Sequence, residues 1–150
     1  MKLIDSGLIE CISCEKVTPE DFEEIVNKTA LEMYKLIKND RRAAAIAAPQ
    51  IGMFKRFFVI KNRDGKGYQV VFNPVYTKYG SLIKSRESCL SYGLDNFAVV
   101  KRFKSIRLKH DIFKDGKLSS HTEYLKYPLS VIVQHETDHL NGRTIFYPHP

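Results

Sequence analysis

Two histidines and a glutamate lie close together in the segment VIVQHETDHLNG, residues 131–142. Residues four apart lie on the same face of an α-helix, so His135 and His139 are able to reach one metal ion. Glu136 is displaced by about 100° from His135 around the helix axis, so it flanks the metal rather than binding it. That is the position of a general base that acts on a metal-bound water, and the pattern predicts a metal-dependent hydrolytic site.

The alternative is that these are two unrelated surface histidines. The residues before them argue against it, because Leu129 and the run 131–133 are apolar and indicate a buried helix. Burying two histidines and a glutamate is costly unless they are paired or bind a metal. The metal site is therefore the favoured interpretation.

A catalytic metal site needs three protein ligands and one open position. Cys89, in the segment RESCLSYG, is the candidate third ligand as a thiolate. The alternative is a buried small hydrophobic residue, which is how most free cysteines behave. The spacing of Cys89 and His135 along the chain does not decide between the two. Asp138 is either an outer partner of a ligand histidine or a polar residue near the end of the helix.

Two helices are predicted to frame this site. Thr18 is a predicted N-cap, Pro19 suits the first helical position, and Asp21 suits a capping box. Apolar residues then recur at three- and four-residue steps, which predicts a long N-terminal helix with one buried face: Phe22, Ile25, Val26, Ala30, Met33, Leu36 and Ile37. The second helix begins at Pro128 and ends at Asn141-Gly142.

The region between the helices is predicted to be mostly β-structure. RRAAAIAAPQIG, at 41–52, is interpreted as an extended or irregular segment. RFFVIK and YQVVFNP are short strands joined by the turn signal NRDGKG, and the turn KDG at 114–116 joins SIRLKHDIF to KLSSHTEYL in a hairpin. His110 and His121 lie in these strands and are predicted to be ordinary surface histidines. The element order predicts an α+β domain with mostly antiparallel sheets around the last helix.

Composition narrows the class of protein. The chain of 150 residues suits one domain, and its longest apolar run, 43–49, is far too short to cross a bilayer. Asp5 lies where a signal peptide requires apolar residues, so a cytoplasmic protein is expected. The net charge of +7 is scattered and lacks a nucleic-acid signature, so a solvated basic surface is favoured, with ribosome proximity as a weaker expectation.

The cysteine count argues against a disulfide framework, because three cysteines in an apparently cytosolic chain are an odd number. Cys11 and Cys14 form an isolated CxxC. A redox motif would open a helix after a strand, and a zinc knuckle would need a second ligand pair nearby. Neither context is evident, so a structural or incidental pair is the favoured interpretation.

Three segments together resemble the peptide deformylase family. The family carries a glycine-containing apolar segment that ends in AAPQ, an EGCLS segment and an HExxH helix, in that order. Here they occur as AAAIAAPQ at 43–50, ESCLS at 87–91 and HETDH at 135–139. Three ordered motifs are more specific than any one of them, and the resemblance runs from about residue 40 to the end.

The resemblance implies a single α+β domain over residues 1–150, with sheets around a central helix that bears HExxH. It implies removal of the formyl group from the N-terminal formylmethionine of newly made proteins, by a monomer. Cys89, His135 and His139 would hold the metal, which is Fe(II) in this family with Zn(II) or Ni(II) as substitutes. Metal-bound hydroxide would attack the formyl carbon, and Glu136 would serve as general base and then acid.

The resemblance also implies how the substrate is held. The side-chain amide of Gln50 and the backbone N–H of Leu90 would stabilise the developing oxyanion. Val131 and Ile132 precede the first histidine by four and three positions and share its face, so we predict that they line the methionine pocket. Ordinary core packing is the alternative for these two residues.

Several positions depart from the family pattern. Both glycines of the first motif are alanines, Ala43 and Ala45, and the glycine before the ligand cysteine is Ser88. Ala45 and Ser88 match positions whose backbone meets the substrate. An alanine at a position that requires positive φ costs about 1 kcal/mol. After CLS, Tyr92-Gly93 replaces the usual apolar residue and proline, so a divergent metal-binding relative with weak or altered activity is the alternative function.

Two rival classes complete the expectations. A zinc protease with HExxH would take its third ligand downstream, where only His149 is available. A non-catalytic metal-binding or ribosome-associated module would be indifferent to loss of Glu136, whereas an enzyme would keep its metal and lose turnover.

Overall fold

The computed structural model describes residues 1–9 and 12–146. The elements of this part, in chain order, are α1 (Ser6–Ile9), α2 (Pro19–Glu24), a π-helical segment (Ile25–Thr29), α3 (Ala30–Ile37), β1 (Ala45–Ala47), a 3-10 segment (Ala48–Ile51), β2 (Phe57–Lys61), β3 (Tyr68–Cys89), a 3-10 segment (Leu90–Tyr92), β4 (Gly93–Lys114), β5 (Lys117–Lys126) and α4 (Leu129–Leu140). The predicted α+β fold with antiparallel strands is confirmed at this level.

The predicted N-terminal helix is divided into α2, the π-helical segment and α3. At its start, the Asp21 carboxylate accepts hydrogen bonds from the backbone N–H and the hydroxyl of Thr18, both at 3.0 Å. Ile25, Met33 and other predicted core residues are buried, but Val26 is 37% exposed. The prediction for Val26 was wrong because Val26 lies about 100° around the helix from the buried Ile25.

The strands form one sheet rather than several. In the described residues its order is β1-β2-β3-β4-β5, and every neighbouring pair is antiparallel. β3 and β4 have 22 residues each, and their pairing shifts register between Ser88 and Cys89 at the end of β3. These long strands place Cys89 and its neighbours beside α4.

A two-residue turn joins β4 to β5. Asp115 and Gly116 have φ values of 53° and 73°, which are the positive angles of a type I′ hairpin turn. The turn sets Lys114 opposite Lys117, and the register then runs without a shift to Ser105 opposite Lys126. The hairpin predicted from KDG is thereby confirmed.

Helix α4 contacts all five strands of the described sheet. Val133 and Leu140 are buried in a core cluster with Phe58, Ile106 and other apolar residues. Gln134 fixes the helix to β4, since its amide exchanges hydrogen bonds of 2.9 and 2.8 Å with the backbone N–H and C=O of Phe103. The helix orientation is therefore set by apolar packing and by a polar clamp.

Two sequence expectations concern residues at the margins of the structure. Cys14 is buried with a free thiol, but Cys11 lies outside the described residues, as does His149. No helical segment in residues 1–9 and 12–146 combines the length and the apolar character that a bilayer crossing requires.

Candidate metal centre

The end of β3 and the second half of α4 bring three metal-ligating side chains together. Cys89 is the last residue of β3 and is 2% exposed, and His139, on α4, is fully buried. One ligand atom from each of Cys89, His135 and His139 lies within 4.8 Å of the other two. The spatial grouping that the HExxH spacing and the cysteine motif predicted is therefore present in the fold.

The distances suit a metal ion. His135 Nε2 lies 3.1 Å from His139 Nε2, and Cys89 Sγ lies 3.4 Å from His139 Nε2. Ligand bonds of about 2.0–2.3 Å in a tetrahedral site place the ligand atoms about 3.3–3.6 Å apart. The two measured distances therefore differ from the values of a tetrahedral site by only a few tenths of an ångström.

The tautomers of the two histidines also suit a metal ion. His135 Nδ1 lies 2.9 Å from a Glu87 carboxylate oxygen, and His139 Nδ1 lies 3.0 Å from the Arg143 carbonyl oxygen. Since both oxygens only accept hydrogen bonds, both Nδ1 atoms must donate. In the neutral ring each Nε2 atom then carries a lone pair, and two facing lone pairs beside a cysteine sulfur are well arranged to bind a cation between them.

A buried ionic network holds His135 in place. Arg102 donates two hydrogen bonds to Glu87, at 2.9 and 2.8 Å, and a third to Asp138. Asp138 also accepts a hydrogen bond from the Tyr76 hydroxyl. Burial disfavours the charged form of Glu87, but the hydrogen bonds from Arg102 and His135 outweigh it and lower the pKa of Glu87 to about 2.

Glu136 lies beside the metal ligands without joining them. Its Oε1 atom is 3.9 Å from His135 Nε2, and its Oε2 atom is buried with no hydrogen-bond partner among the described residues. Burial raises its pKa to about 7, against the opposing effect of His135. A carboxyl group with a pKa near neutrality is able both to accept and to release a proton at physiological pH.

Gln50 approaches the cluster from the segment after β1. Its amide oxygen accepts a hydrogen bond of 2.8 Å from the Ala47 backbone N–H, which orients the amide nitrogen. That nitrogen lies 2.9 Å from Ser91 Oγ and 3.6 Å from Cys89 Sγ. Gln50 thus presents N–H donors at the edge of the site.

The predicted substrate residues meet in one cleft. The cleft is lined by His135, Glu136 and Gln50. It is also lined by Leu90 and by the four predicted substrate-contact residues, which are Ala45, Ser88, Val131 and Ile132. The cleft therefore opens directly onto Cys89, His135 and Glu136.

The departures from the family pattern do not strain the backbone. Asn73 and Asp115 are the non-glycine residues with positive φ in the described part of the chain, so Ala43, Ala45 and Ser88 have ordinary angles. Both alanines and Ser88 line the cleft, where their side chains occupy space that glycine would leave open. The consequence of these substitutions is therefore steric.

Sequence reasoning missed part of the site. It did not predict that Glu87 bridges His135 and Arg102, or that Ser91 contacts Gln50. It left Asp138 open as a partner of a ligand histidine, whereas Asp138 pairs with Arg102 and Tyr76. The one signal for Glu87 was its place two residues before Cys89, where its side chain shares a strand face with the cysteine.

Comparison with known proteins identifies the family. The chain matches the polypeptide deformylase family over residues 11–148. It is 34% identical over 130 residues to a peptide deformylase of Nautilia profundicola, covering 82% of this chain and 71% of the relative. It is also 34% identical over 129 residues to peptide deformylase 2 of Bacillus subtilis, covering 82% of this chain and 66% of that relative.

A solved structure agrees with these sequence relatives. The peptide deformylase of Thermotoga maritima superposes with a TM-score of 0.80 at 28% identity, over 100% of this chain and 97% of that one. In the described residues, the third donor beside the two histidines is Cys89, which lies upstream of the helix, whereas a zinc protease would take its third ligand downstream. The chain belongs to the polypeptide deformylase family, the metal-dependent hydrolases that remove the formyl group from an N-terminal methionine.

Proposed function

We propose that Cys89, His135 and His139 hold the catalytic metal of this deformylase, with Fe(II) as the native ion and Zn(II) or Ni(II) as substitutes. The observation that carries the proposal is the convergence of three donor atoms within 4.8 Å beside the buried, unpartnered Glu136 carboxylate oxygen. Thiolate and imidazole ligands together suit Fe(II), Zn(II) and Ni(II), while Mg²⁺ and Ca²⁺ prefer oxygen.

A divalent cation held by Cys89, His135 and His139 would lower the pKa of water and so supply a hydroxide nucleophile near neutral pH. Glu136 accepts the proton of the attacking water at its carboxylate. The same carboxyl group then delivers that proton to the amine that leaves as the formyl C–N bond breaks. The position of Glu136 in the cleft, 3.9 Å from His135 Nε2, supports this role.

The Gln50 amide and the Leu90 backbone N–H stabilise the negative charge that develops on the formyl oxygen. Preorganised donors of this kind contribute about 10²–10³-fold to the rate constant of acyl transfer. Gln50 is 2% exposed and its amide oxygen is fixed by the Ala47 N–H, which supports this role. Ser91 keeps the amide nitrogen in place until the substrate arrives.

The methionine side chain of the substrate occupies the cleft beside Val131 and Ile132. Both residues line the cleft one turn before His135, and Val131 is 8% exposed. Ala45 and Ser88 line the same cleft and contact the substrate backbone. Because the side chains of Ala45 and Ser88 make the cleft narrower than glycines would, the preferred peptides are those with small side chains after the methionine.

The activity is tested with protein purified anaerobically and loaded with Fe(II), using formyl-Met-Ala-Ser as substrate. We expect turnover with about one metal ion per chain in the catalytic site. Glu136→Gln should keep the metal and lose activity by at least about 10²-fold. Glu24→Gln, an exposed change of the same type on α2, is the matched control and should leave turnover unchanged.

A divergent activity is the second candidate, because Ala43, Ala45 and Ser88 fill part of the cleft. In that case the chain would bind one metal but turn over this peptide poorly, and restoring the three glycines would raise the rate. Equal turnover in Glu136→Gln and in the unmodified chain would overturn the proposed role of Glu136.

A further inference from the structure

A second group of metal-ligating side chains lies on the β4–β5 hairpin. His110 and His121 are directly opposite each other in the register, with ring centroids 5.5 Å apart. Glu123 lies two residues beyond His121 on the same face of β5. His110 Nε2 is 2.8 Å from Glu123 Oε2, and His121 Nε2 is 3.9 Å from the same oxygen.

The sequence predicted ordinary surface histidines here because neither has a ligand-like neighbour along the chain, and 11 positions separate the two. The hairpin register removes that separation. One donor atom from each of His110, His121 and Glu123 lies within 4.8 Å of the others. Donors around a tetrahedral cation lie about 3.3 Å apart, so the two measured distances bracket the required value.

The surroundings favour a cation. The side-chain exposures are 13% for His110, 50% for His121 and 42% for Glu123, so the group is anchored on one side and open to solvent on the other. Successive residues of a strand point to opposite faces, so Leu108, Ile112 and Ser119 are the nearest neighbours on this face of the two strands. None of the three carries a charge, and Lys109 points away.

We propose that His110, His121 and Glu123 form a second binding site for a divalent transition-metal cation, separate from the catalytic cluster. Two imidazoles and one carboxylate suit Zn²⁺, Cu²⁺, Ni²⁺ and Co²⁺, and leave coordination positions for water. The His110–Glu123 hydrogen bond holds two of the donors together before the metal arrives. A cation at His110 Nε2 requires the tautomer with its proton on Nδ1, so the Nε2 proton of this hydrogen bond is released to solvent while Nδ1 takes one up, and the bound cation then links β4 to β5.

A cation at this position stabilises the folded chain. It binds the hairpin only when the register sets His110 opposite His121. Once the metal concentration exceeds the dissociation constant, the free energy of unfolding therefore rises with the logarithm of their ratio. The site lies outside the catalytic cleft and shares none of the residues that line that cleft. It therefore changes stability without taking part in the reaction.

Titration of the metal-free chain with Co²⁺ separates the two sites. Only the catalytic cluster contains a thiolate, so only that site gives a sulfur-to-cobalt charge-transfer band, whereas both sites give visible d–d bands. We expect the charge-transfer band to saturate at about one equivalent and the d–d bands to grow to about two, with a concurrent rise in Tm. This readout is independent of deformylase activity and of the proposed roles in the cleft.

His121→Ala should remove the second equivalent and its Tm increase while leaving the charge-transfer band unchanged. His121 is chosen because it is exposed, so its loss leaves the hairpin intact. Ser119→Ala, on the same face of β5, is the matched control and should retain the second equivalent. Saturation of both bands together at one equivalent in the unmodified chain, or a second equivalent that survives His121→Ala, would overturn the proposal.

Discussion

The two histidine clusters differ in how their donors are held. In the Cys89 cluster each histidine donates a hydrogen bond from its Nδ1 atom to a separate acceptor, the Glu87 carboxylate or the Arg143 carbonyl oxygen. Both Nε2 atoms are therefore able to face a metal. In the hairpin cluster the carboxylate that would bind the metal is also the hydrogen-bond partner of His110. The outer hydrogen-bond partners therefore distinguish the two clusters more than their donor atoms do, and such partners orient ligands for a metal.

The clusters also differ in what the fold must supply. The hairpin cluster needs only the β4–β5 register, which a two-residue turn sets. The catalytic cluster needs β3 to end beside α4, and the buried Glu87–Arg102–Asp138 network lies at that contact. Loss of the network should therefore affect stability and catalytic metal binding together, whereas changes in the hairpin should affect neither metal binding at the catalytic cluster nor, strongly, the stability of the metal-free chain.

The largest expected effect is that of Arg102→Met. It leaves the carboxylates of Glu87 and Asp138 buried without their cation, which should cost about 3–5 kcal/mol in the free energy of unfolding. Urea denaturation measures this loss. Arg107→Met, at an exposed position on the same strand, is the control and should cost less than about 0.5 kcal/mol. Equal stabilities of the two variants would mean that the network does not stabilise the fold.

The next effect is that of Cys89→Ser, which removes the thiolate from the catalytic cluster. Since loss of an outer partner alone costs about 10–100-fold in metal affinity, loss of a ligand should cost more than about 100-fold. Chelator competition measures the affinity. Cys14→Ser is the matched control, because Cys14 is the other free cysteine of the described residues and does not line the cleft. A Cys89→Ser chain with unchanged affinity would disprove thiolate ligation.

Glu87→Gln should have a smaller effect on the same affinity. The amide oxygen still accepts from His135 Nδ1, but the negative charge that strengthens that hydrogen bond is lost. We expect metal affinity to fall by about 10–100-fold, measured by the same competition. The number of metal ions bound per chain at saturation should remain that of the unmodified chain. A lower number at saturation, with unchanged affinity, would contradict a positioning role for Glu87.

The smallest effect should come from Glu123→Gln in the hairpin cluster. Its hydrogen bond with His110 is partly exposed, so its loss should change the free energy of unfolding of the metal-free chain by less than about 1 kcal/mol. Thermal denaturation of the metal-free protein measures this change. A loss as large as that of Arg102→Met would remove the contrast between the two clusters.

The sequence predicted those parts of the site that depend on local spacing. His135, Glu136 and His139 follow from helix geometry, and Cys89 and Gln50 follow from their motifs. The link from Glu87 through Arg102 to Asp138 joins three elements, and no local pattern encodes it. The hairpin cluster lies between these cases. Once the turn at Asp115-Gly116 is known, counting residues outward from it along both strands places His110 opposite His121.

The fold shows the same division. The hairpin and the start of α4 were predicted from turn residues and proline, whereas the π-helical segment and the union of all strands in one sheet depend on tertiary packing. The single domain over 1–150, the monomeric state, the cytoplasmic location and ribosome proximity stay predictions.

The most direct test of the central claim is X-ray absorption at the metal edge of the chain loaded with one equivalent of Zn²⁺. Ligation by Cys89, His135 and His139 predicts one sulfur at about 2.3 Å and two imidazole nitrogens at about 2.0–2.1 Å. A first shell of nitrogen and oxygen alone would place the metal elsewhere and contradict the assignment of the catalytic cluster.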